Sequence, residues 1–420
     1  MEEVKLKRSI SWKQGTAMAI GSVLGSGILI LPAVTAQVAG PASIIAWIVM
    51  SILAIPLALT LGRLAATIPN AGGIIAYARE AFGPMVGSIT GWLFLGTIPV
   101  GVPIIALVGA HYIGTGYHLS NLEMTAIAAT MLGTSLILNA RGIEISSWVQ
   151  VSIVFIIAGL LLFAVITASP YVESQSFHPF VPRGWFPVGM AAVSIFWCFV
   201  GWEIVVHLVE EFQNPVKDVF LSLCLAPVVV GIIYVALAIV TVGTLAYGSD
   251  VGITPLIILV SKGFGPLATY ITAFLALLIT FGGIHMNIAG FSRMVYAQAR
   301  EGDFPEIFAT LHPIYKTPVM ALSGLAVVFT VILTFNGLFN PNLGTMIQWP
   351  SIIFLVLYMI SMASALKLLR RWDYGWWMAL VSLIFCIILY PFSGWACLYP
   401  PALAAVGWLV SIGMEFHSKI

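Results

Sequence analysis

The chain has 420 residues, 60% of them apolar, with only 17 basic and 16 acidic side chains and a net charge of +1. A soluble domain carries charge on about a quarter of its residues, so this composition excludes a soluble enzyme, a nucleic-acid-binding module and a disordered protein. Lipid must be the outer solvent: about 12 spans of about 20 residues would use roughly 240 residues, close to the whole apolar share.

Residues 1–13 carry Lys5, Lys7, Arg8 and Lys13 ahead of the first apolar run. A basic start before an apolar run resembles a secretory leader. No small-residue cleavage site followed by a polar region appears, so the segment reads as a cytoplasmic tail before a retained span. Apolar runs then fall at about 14–38, 43–64, 84–110, 122–139, 148–168, 187–209, 219–246, 266–292, 318–336, 344–366, 374–391 and 394–414, with residues 415–420 as a tail. None shows the short alternating segments of a barrel. Inside lipid the backbone must bond within its own segment, so all twelve are predicted to be helices. With the N-terminus inside, 15 basic residues lie on the inner side and only Arg183 and Lys262 on the outer. This positive-inside bias predicts a multi-pass protein of the plasma (inner) membrane with both termini cytoplasmic.

Two internal similarities suggest a repeat. Phe82-Gly83-Pro84 opens the third run and Phe264-Gly265-Pro266 opens the eighth. Glycine-bearing interruptions occur in the first run, at Gly25-Ser26-Gly27, and in the sixth, at Phe199-Val200-Gly201. Both pairs are five spans apart, an odd offset that turns the second copy upside down in the membrane. The chain therefore divides into an inverted pair, 14–168 (spans 1–5) and 187–366 (spans 6–10), followed by 374–414 (spans 11 and 12).

Interrupted helices suit a zwitterion. Gly21, Gly25 and Gly27 each weaken a helix by up to about 1 kcal/mol relative to Ala. Unwinding frees amides at the start of the next half-helix for a carboxylate, with the Ser26 hydroxyl as a further donor. The freed carbonyls of the preceding half suit an ammonium. The alternative for such small residues is close helix packing. Glu203 is the one carboxylate deep in a span, where it costs about 2.5–3.5 kcal/mol on insertion scales. His207 and Glu211 follow at helical spacing, so Glu203 is a hydrogen-bonding brace, a proton carrier or a direct substrate contact. His285 is a second proton candidate, or an interhelical hydrogen bonder. Arg293, Glu301 and Asp303, with Arg63 and Arg79, are candidates for a gate at the inner mouth or for ordinary charge anchoring. Cys198, Cys224, Cys386 and Cys397 all sit in apolar runs without metal spacing, and neither a metal nor a cofactor is expected. No phosphate-binding loop is present.

Four ordered segments carry a family resemblance. They are Gly21-Ser22-Val23-Leu24-Gly25-Ser26-Gly27-Ile28; Pro69-Asn70-Ala71-Gly72-Gly73 with Tyr77; Phe196 through Glu203; and Ser292-Arg293 with Tyr296-Ala297 and Arg300 through Pro305. Together they resemble the amino acid–polyamine–organocation (APC) superfamily of transporters over roughly residues 15–320. Gly91-Trp92-Leu93-Phe94-Leu95 with Ile98-Pro99-Val100-Gly101, and the span-six block continued by His207-Leu208 and Asn214-Pro215, are similar to bacterial exporters of methionine and branched-chain amino acids.

The resemblance implies an all-α, LeuT-type five-plus-five inverted repeat with discontinuous spans one and six. It implies a substrate carboxylate on amides at Ser26 and Gly27 beside Gly25, and an ammonium on carbonyls near Val23, Trp197 and Val200. Trp197 and Phe199 would be an aromatic wall beside Gly201. The chain departs from relatives that carry a Lys in span five, since 148–169 has no Lys or Arg. The expected activity is secondary transport of neutral apolar L-amino acids (methionine, leucine, isoleucine, valine), as an exporter coupled to proton influx. An importer or exchanger of the same fold is the alternative, and a membrane-embedded enzyme lacks the clustered acids it would need. The expected partners are the amino acid, protons and membrane lipid. A tethered accessory subunit is not expected, because the outer loop 111–121 has no Cys.

Overall fold

A backbone surrounded by apolar side chains has only itself to bond to, and the chain is helical accordingly. The computed structural model describes residues 10–68, 73–142, 147–202, 212–248, 254–300 and 302–417. Its helices are α1 (Trp12–Val23), α2 (Gly27–Ala39), α3 (Ser43–Thr67), α4 (Gly73–Phe82), α5 (Pro84–Leu95), α6 (Ile98–Tyr117), α7 (Asn121–Ala140) and α8 (Ser147–Ala168). They continue as α9 (Phe186–Phe196), α10 (Pro215–Gly243), α11 (Pro255–Phe264), α12 (Leu267–Arg300), α13 (Val319–Phe339), α14 (Leu343–Leu368), α15 (Tyr374–Leu389) and α16 (Tyr399–His417). Among the described residues the strand-like pairing is one isolated bridge, Ile10 to Phe212.

Every one of the twelve apolar runs contains helix. By length and composition, nine stretches of the described residues can cross a membrane. The number is below twelve because α2 with α3, and α15 with α16, each count as one stretch, and because α9 is short. Polar atoms inside the bundle are satisfied locally: Thr35, Thr60, Ser351 and Ser361 turn their hydroxyls back to the carbonyl four residues earlier. Ser120 and Glu123 close a capping box at the start of α7. Outward faces are apolar instead, with Phe155 67% and Leu338 73% exposed, as a lipid-facing surface requires.

α1 and α3 lie along α10, and α2 and α3 along α9. Opposite them α6 packs on α7 and α12, and α13 on α7. α14 touches both groups through α9 and α6 and also meets α4 and α15. The two Phe-Gly-Pro segments have the same local form: α4 and α11 are each ten residues long and end at Phe82 and Phe264. Each is followed by a left-handed glycine, Gly83 (φ 95°) and Gly265 (φ 69°).

At the end of α3, Arg63 donates to Asp373 at 2.9 Å, and its guanidinium lies 5.1 Å from the Tyr374 ring centre. Asp373 also accepts from the Tyr374 amide at 2.9 Å, capping α15. The Arg63 hydrogen bond, assisted by that amide and by the Arg370 charge, holds the Asp373 carboxyl below its usual range. A depressed pKa contributes stability above the unfolded value, and that stability is lost as pH falls through the folded one. Asp373→Asn should therefore melt below the wild type at neutral pH, and the gap should close as pH drops below about 4. Thermal melts in detergent across this range measure it; a gap that persists undiminished in acid would assign the effect to something other than the ion pair.

Candidate substrate site

Two breaks in helical backbone meet at the centre of the bundle. The first separates α1 from α2: Leu24 leaves the helical region (φ −69°, ψ 73°), and the Gly25 amide folds back on the Val23 carbonyl at 2.7 Å. The second follows α9, which tightens into a 3-10 turn at Trp197–Phe199. Val200 is then extended (φ −85°, ψ 140°) and Gly201 has φ 132°.

The breaks approach too closely for side chains. A Cβ on Gly27 would stand 2.6 Å from Trp197 Cδ1 and 2.9 Å from Cys198 Sγ. A Cβ on Gly201 would stand 2.5 Å from the Ser22 carbonyl oxygen, and the positive φ disfavours any other residue there. By contrast, a Cβ on Gly25 would meet only the Val23 carbonyl oxygen, at 3.9 Å. Tyr234, from α10, donates to the Val23 carbonyl at 2.9 Å and lies 3.3 Å from the Cys198 carbonyl, so one hydroxyl bridges both breaks. Its ring is held edge-on by Phe199 (5.3 Å between ring centres) and Trp47 (5.6 Å).

The breaks open on a cavity of about 1820 Å³. Pockets that enclose a single small ligand run about 300–1,000 Å³, so this is a passage rather than a closed pocket. Val23, Gly25, Ser26, Gly27, Trp197, Val200 and Gly201 all line it. Gly27 and Ile28 begin α2, where no carbonyl of the preceding turn can serve their amides. Ser26 is buried, and its hydroxyl has no hydrogen-bond partner among the described residues. Facing it are apolar groups: Phe94, Ile105, Met286, Phe291 and Phe354, with Phe354 edge-on to Trp197 at 5.8 Å.

The charged lining residues are Lys13, Arg79, Glu80, Arg293 and Asp303. Lys13 opens α1, Arg79 and Glu80 end α4, Arg293 lies in the last two turns of α12, and Asp303 follows it. At about 1.5 Å per helical residue, Lys13 stands roughly 15 Å along α1 from the break. Arg79 and Asp303 pair at 2.8 Å, and the Asp303 carbonyl accepts from Trp92 Nε1 at 3.1 Å. Beyond α2 the chain is held at the other end of the bundle: Arg183 donates to the Gln37 carbonyl, and Gln37 donates to the Gly248 carbonyl at 3.1 Å.

Some expected residues sit elsewhere. Phe199 is buried behind its break against Tyr234, outside the cavity lining, because the 3-10 turn rotates it away from the side that Trp197 occupies. Phe354 from α14 is the aromatic neighbour of Trp197 instead. His285 is 3% exposed within the α7–α12 contact, 3.3 Å from Ser135 Oγ and 3.2 Å from Asn139 Nδ2, and it does not line the cavity. Arg293 does line it. Glu203, His207, Glu211 and Glu301 lie outside the described residues. Tyr234 escaped the reading of the sequence, although a phenol inside the run Gly231-Ile232-Ile233-Tyr234-Val235 requires a buried acceptor. Phe354 carries no such signal. No group of His, Cys, Asp and Glu among the described residues could hold a metal.

A helical bundle with an apolar exterior, whose broken helices face a passage, defines a membrane transport protein. The family described as Amino acid permease matches residues 10–412, and the chain belongs to that family. It is 49% identical over 415 residues to the uncharacterized amino acid permease YecA of Bacillus subtilis, covering 99% of this chain and 98% of that protein. It is 30% identical over 413 residues to the L-methionine/branched-chain amino acid exporter YjeH of Escherichia coli, covering 96% of each. The branched-chain amino acid permease BcaP of Bacillus subtilis is 25% identical over 341 residues, 76% of this chain and 73% of that protein. The chain is therefore a multi-pass transporter of amino acids and not an enzyme, in agreement with its motifs.

The geometry separates the three glycines. Gly27→Val and Gly201→Ala should abolish transport with insertion intact, since each forces the breaks apart, whereas Gly25→Ala should keep substantial activity. Uptake into proteoliposomes, with protein amount matched by size-exclusion profile, measures this; normal uptake by Gly27→Val would remove the close approach from the site.

Proposed function

We propose that the protein is a secondary active exporter of neutral apolar L-amino acids, methionine and the branched-chain set, driven by proton influx. The observation that carries this reading is the position of charge. Where the two breaks meet, the lining is backbone, the hydroxyls of Ser22 and Ser26 and apolar side chains. The other polar lining groups, such as Thr97 and Asn287, are neutral, and the charged lining residues belong to the far ends of α1 and α4, the last turns of α12 and the segment after it. A site of this kind recognises an α-amino acid by its backbone and offers its side chain hydrocarbon. A cationic or anionic side chain would lie there without a counter-charge, at a penalty of several kcal/mol.

Within the site, the carboxylate rests on the amides at Ser26 and Gly27 and on the Ser26 hydroxyl, at the positive end of α2. The ammonium falls to the carbonyls of the second break, at Trp197 and Val200. The Val23 carbonyl already accepts from the Gly25 amide and from Tyr234, which fills both of its lone pairs. Trp197 and Phe354 flank the side chain.

The passage leads toward Lys13, Arg79 and Arg293, the end that the basic-residue bias puts in the cytoplasm. On this reading the conformation is the inward-open one of a transporter with both termini inside the plasma membrane. Twelve crossings and the inverted halves 14–168 and 187–366 are part of this proposal. The recurrence of a ten-residue helix before each Phe-Gly-Pro supports them, as does the pairing of the breaks. The export direction rests on the resemblance to the Escherichia coli exporter.

Counterflow in proteoliposomes with labelled methionine tests the substrate class. Leucine, isoleucine and valine should compete, while lysine, arginine, glutamate and methionine methyl ester should not. Competition by arginine at equal concentration would refute the apolar site. Accumulation of methionine in right-side-out vesicles under an inward proton gradient would make the protein an importer.

Coupling is assigned from the sequence to Glu203, with His207 one turn further on. Glu203→Gln should abolish acceleration by a pH gradient and leave counterflow without a gradient largely intact. If both activities fall together, Glu203 is a brace, and His285, although it lies behind the cavity, is the next group to test.

A further inference from the structure

The loop between α14 and α15 takes no part in the passage, yet its construction is specific. Lys367, Arg370 and Arg371 are all exposed there. Asp373, the acid of the stretch, is engaged by Arg63 at 2.9 Å and also feels the Arg370 charge, so one carboxylate that is already paired stands against three exposed cations. Three indoles pack on one another beside them: Trp372 with Trp376 at 5.1 Å, Trp372 with Trp377 at 5.3 Å, and Trp376 with Trp377 at 5.2 Å between ring centres. The Arg371 guanidinium lies 5.1 Å from the Trp372 ring centre, and the Lys367 ammonium 5.4 Å from that of Phe82.

Trp372 is the unusual member. Its backbone is left-handed, with φ 69°, and its side chain is 60% exposed. A bulky side chain rarely adopts this conformation, and strain of this kind is retained where surrounding structure enforces it, often at functional positions. Here the enforcing contacts are the cap of Asp373 on α15, the Arg63 ion pair, and the bond from Trp376 Nε1 to the Leu366 carbonyl at 3.1 Å. Together they hold an indole out over a basic surface.

We propose that this loop is a binding site for the headgroup of an anionic phospholipid. Arg370, Arg371 and Lys367 take the phosphate oxygens, with guanidinium groups suited to paired hydrogen bonds. Trp372 and Trp377 lie at the level of the glycerol and first methylenes, the depth that indoles prefer. Charge complementarity selects the occupant: a zwitterionic headgroup brings its own ammonium, which three cations repel, and basic clusters at the cytoplasmic face draw anionic lipid. Arg63 ties the loop to α3, which packs along α9 and α10, so the headgroup settles on a clamp joining the substrate-bearing helices to α15. The inference rests on membrane insertion with this loop at the cytoplasmic face, as proposed above, but not on the proposed substrate.

The test is native mass spectrometry of the full chain released from nanodiscs of mixed phosphatidylethanolamine and phosphatidylglycerol. The wild type should retain phosphatidylglycerol preferentially. The double variant Arg370→Gln, Arg371→Gln should lose that preference by about tenfold or more, the effect expected for two cations at a membrane surface. Trp372→Gly keeps a residue suited to the left-handed backbone, so it should melt no lower than the wild type yet retain less phosphatidylglycerol. Equal retention by the wild type and the folded double variant would overturn the site. So would displacement of the lipid by millimolar inorganic phosphate, which would indicate a site for a soluble anion.

Discussion

One hydroxyl group holds the centre of this protein together. Tyr234 reaches from α10 to the Val23 carbonyl and stands beside the Cys198 carbonyl, joining two stretches of backbone that have left the helix. In an apolar surrounding each unserved carbonyl or amide costs several kcal/mol, so unwound backbone survives at that depth only where protein or a water-lined cavity satisfies it. Tyr234 meets this need on the protein side and the cavity on the other. The close seating of Gly27 on Trp197 and of Gly201 on the Ser22 carbonyl follows from the same constraint, because the breaks must touch for one phenol to serve both.

That arrangement separates two tasks usually given to charged side chains. In the proposed binding mode the polar ends of an amino acid are met by backbone dipoles, which carry no net charge to desolvate. Charged groups are kept for the mouth of the passage, where Arg79 and Asp303 pair between α4 and the segment after α12. Both side chains there are partly exposed, at 39% and 22%, so water competes with the pair and its net contribution is small.

The fold was largely legible in the sequence because lipid imposes a severe rule. Helix is the only local solution for runs such as 219–246, and the twelve expected runs all contain it. The family was legible too, since Gly25-Ser26-Gly27 and Phe196 through Glu203 keep their order and spacing. The cavity wall was less so. Phe199 and Trp197 are two residues apart and look equivalent on paper, but a 3-10 turn sends Trp197 to the cavity and Phe199 to Tyr234. Phe354 joins the wall from a helix more than 150 residues further on, and one aromatic among the chain's 24 Phe carries no mark of its neighbours.

What the sequence determined alone were properties that depend on residue type and near spacing. These are the apolar exterior, the helices, the glycines where two breaks occur, and the family that owns those motifs. What only the tertiary structure decided were properties that depend on which helices meet. Packing chose Tyr234 as the bridge, closed both lone pairs of the Val23 carbonyl, and buried His285 between α7 and α12. It also drew Arg63 across to Asp373, 310 residues away. Hydrophobic periodicity fixes a helix face but not its partner, because in lipid every apolar face is equally at ease against acyl chains. The choice of partner therefore rests on shape and on a few buried hydrogen bonds.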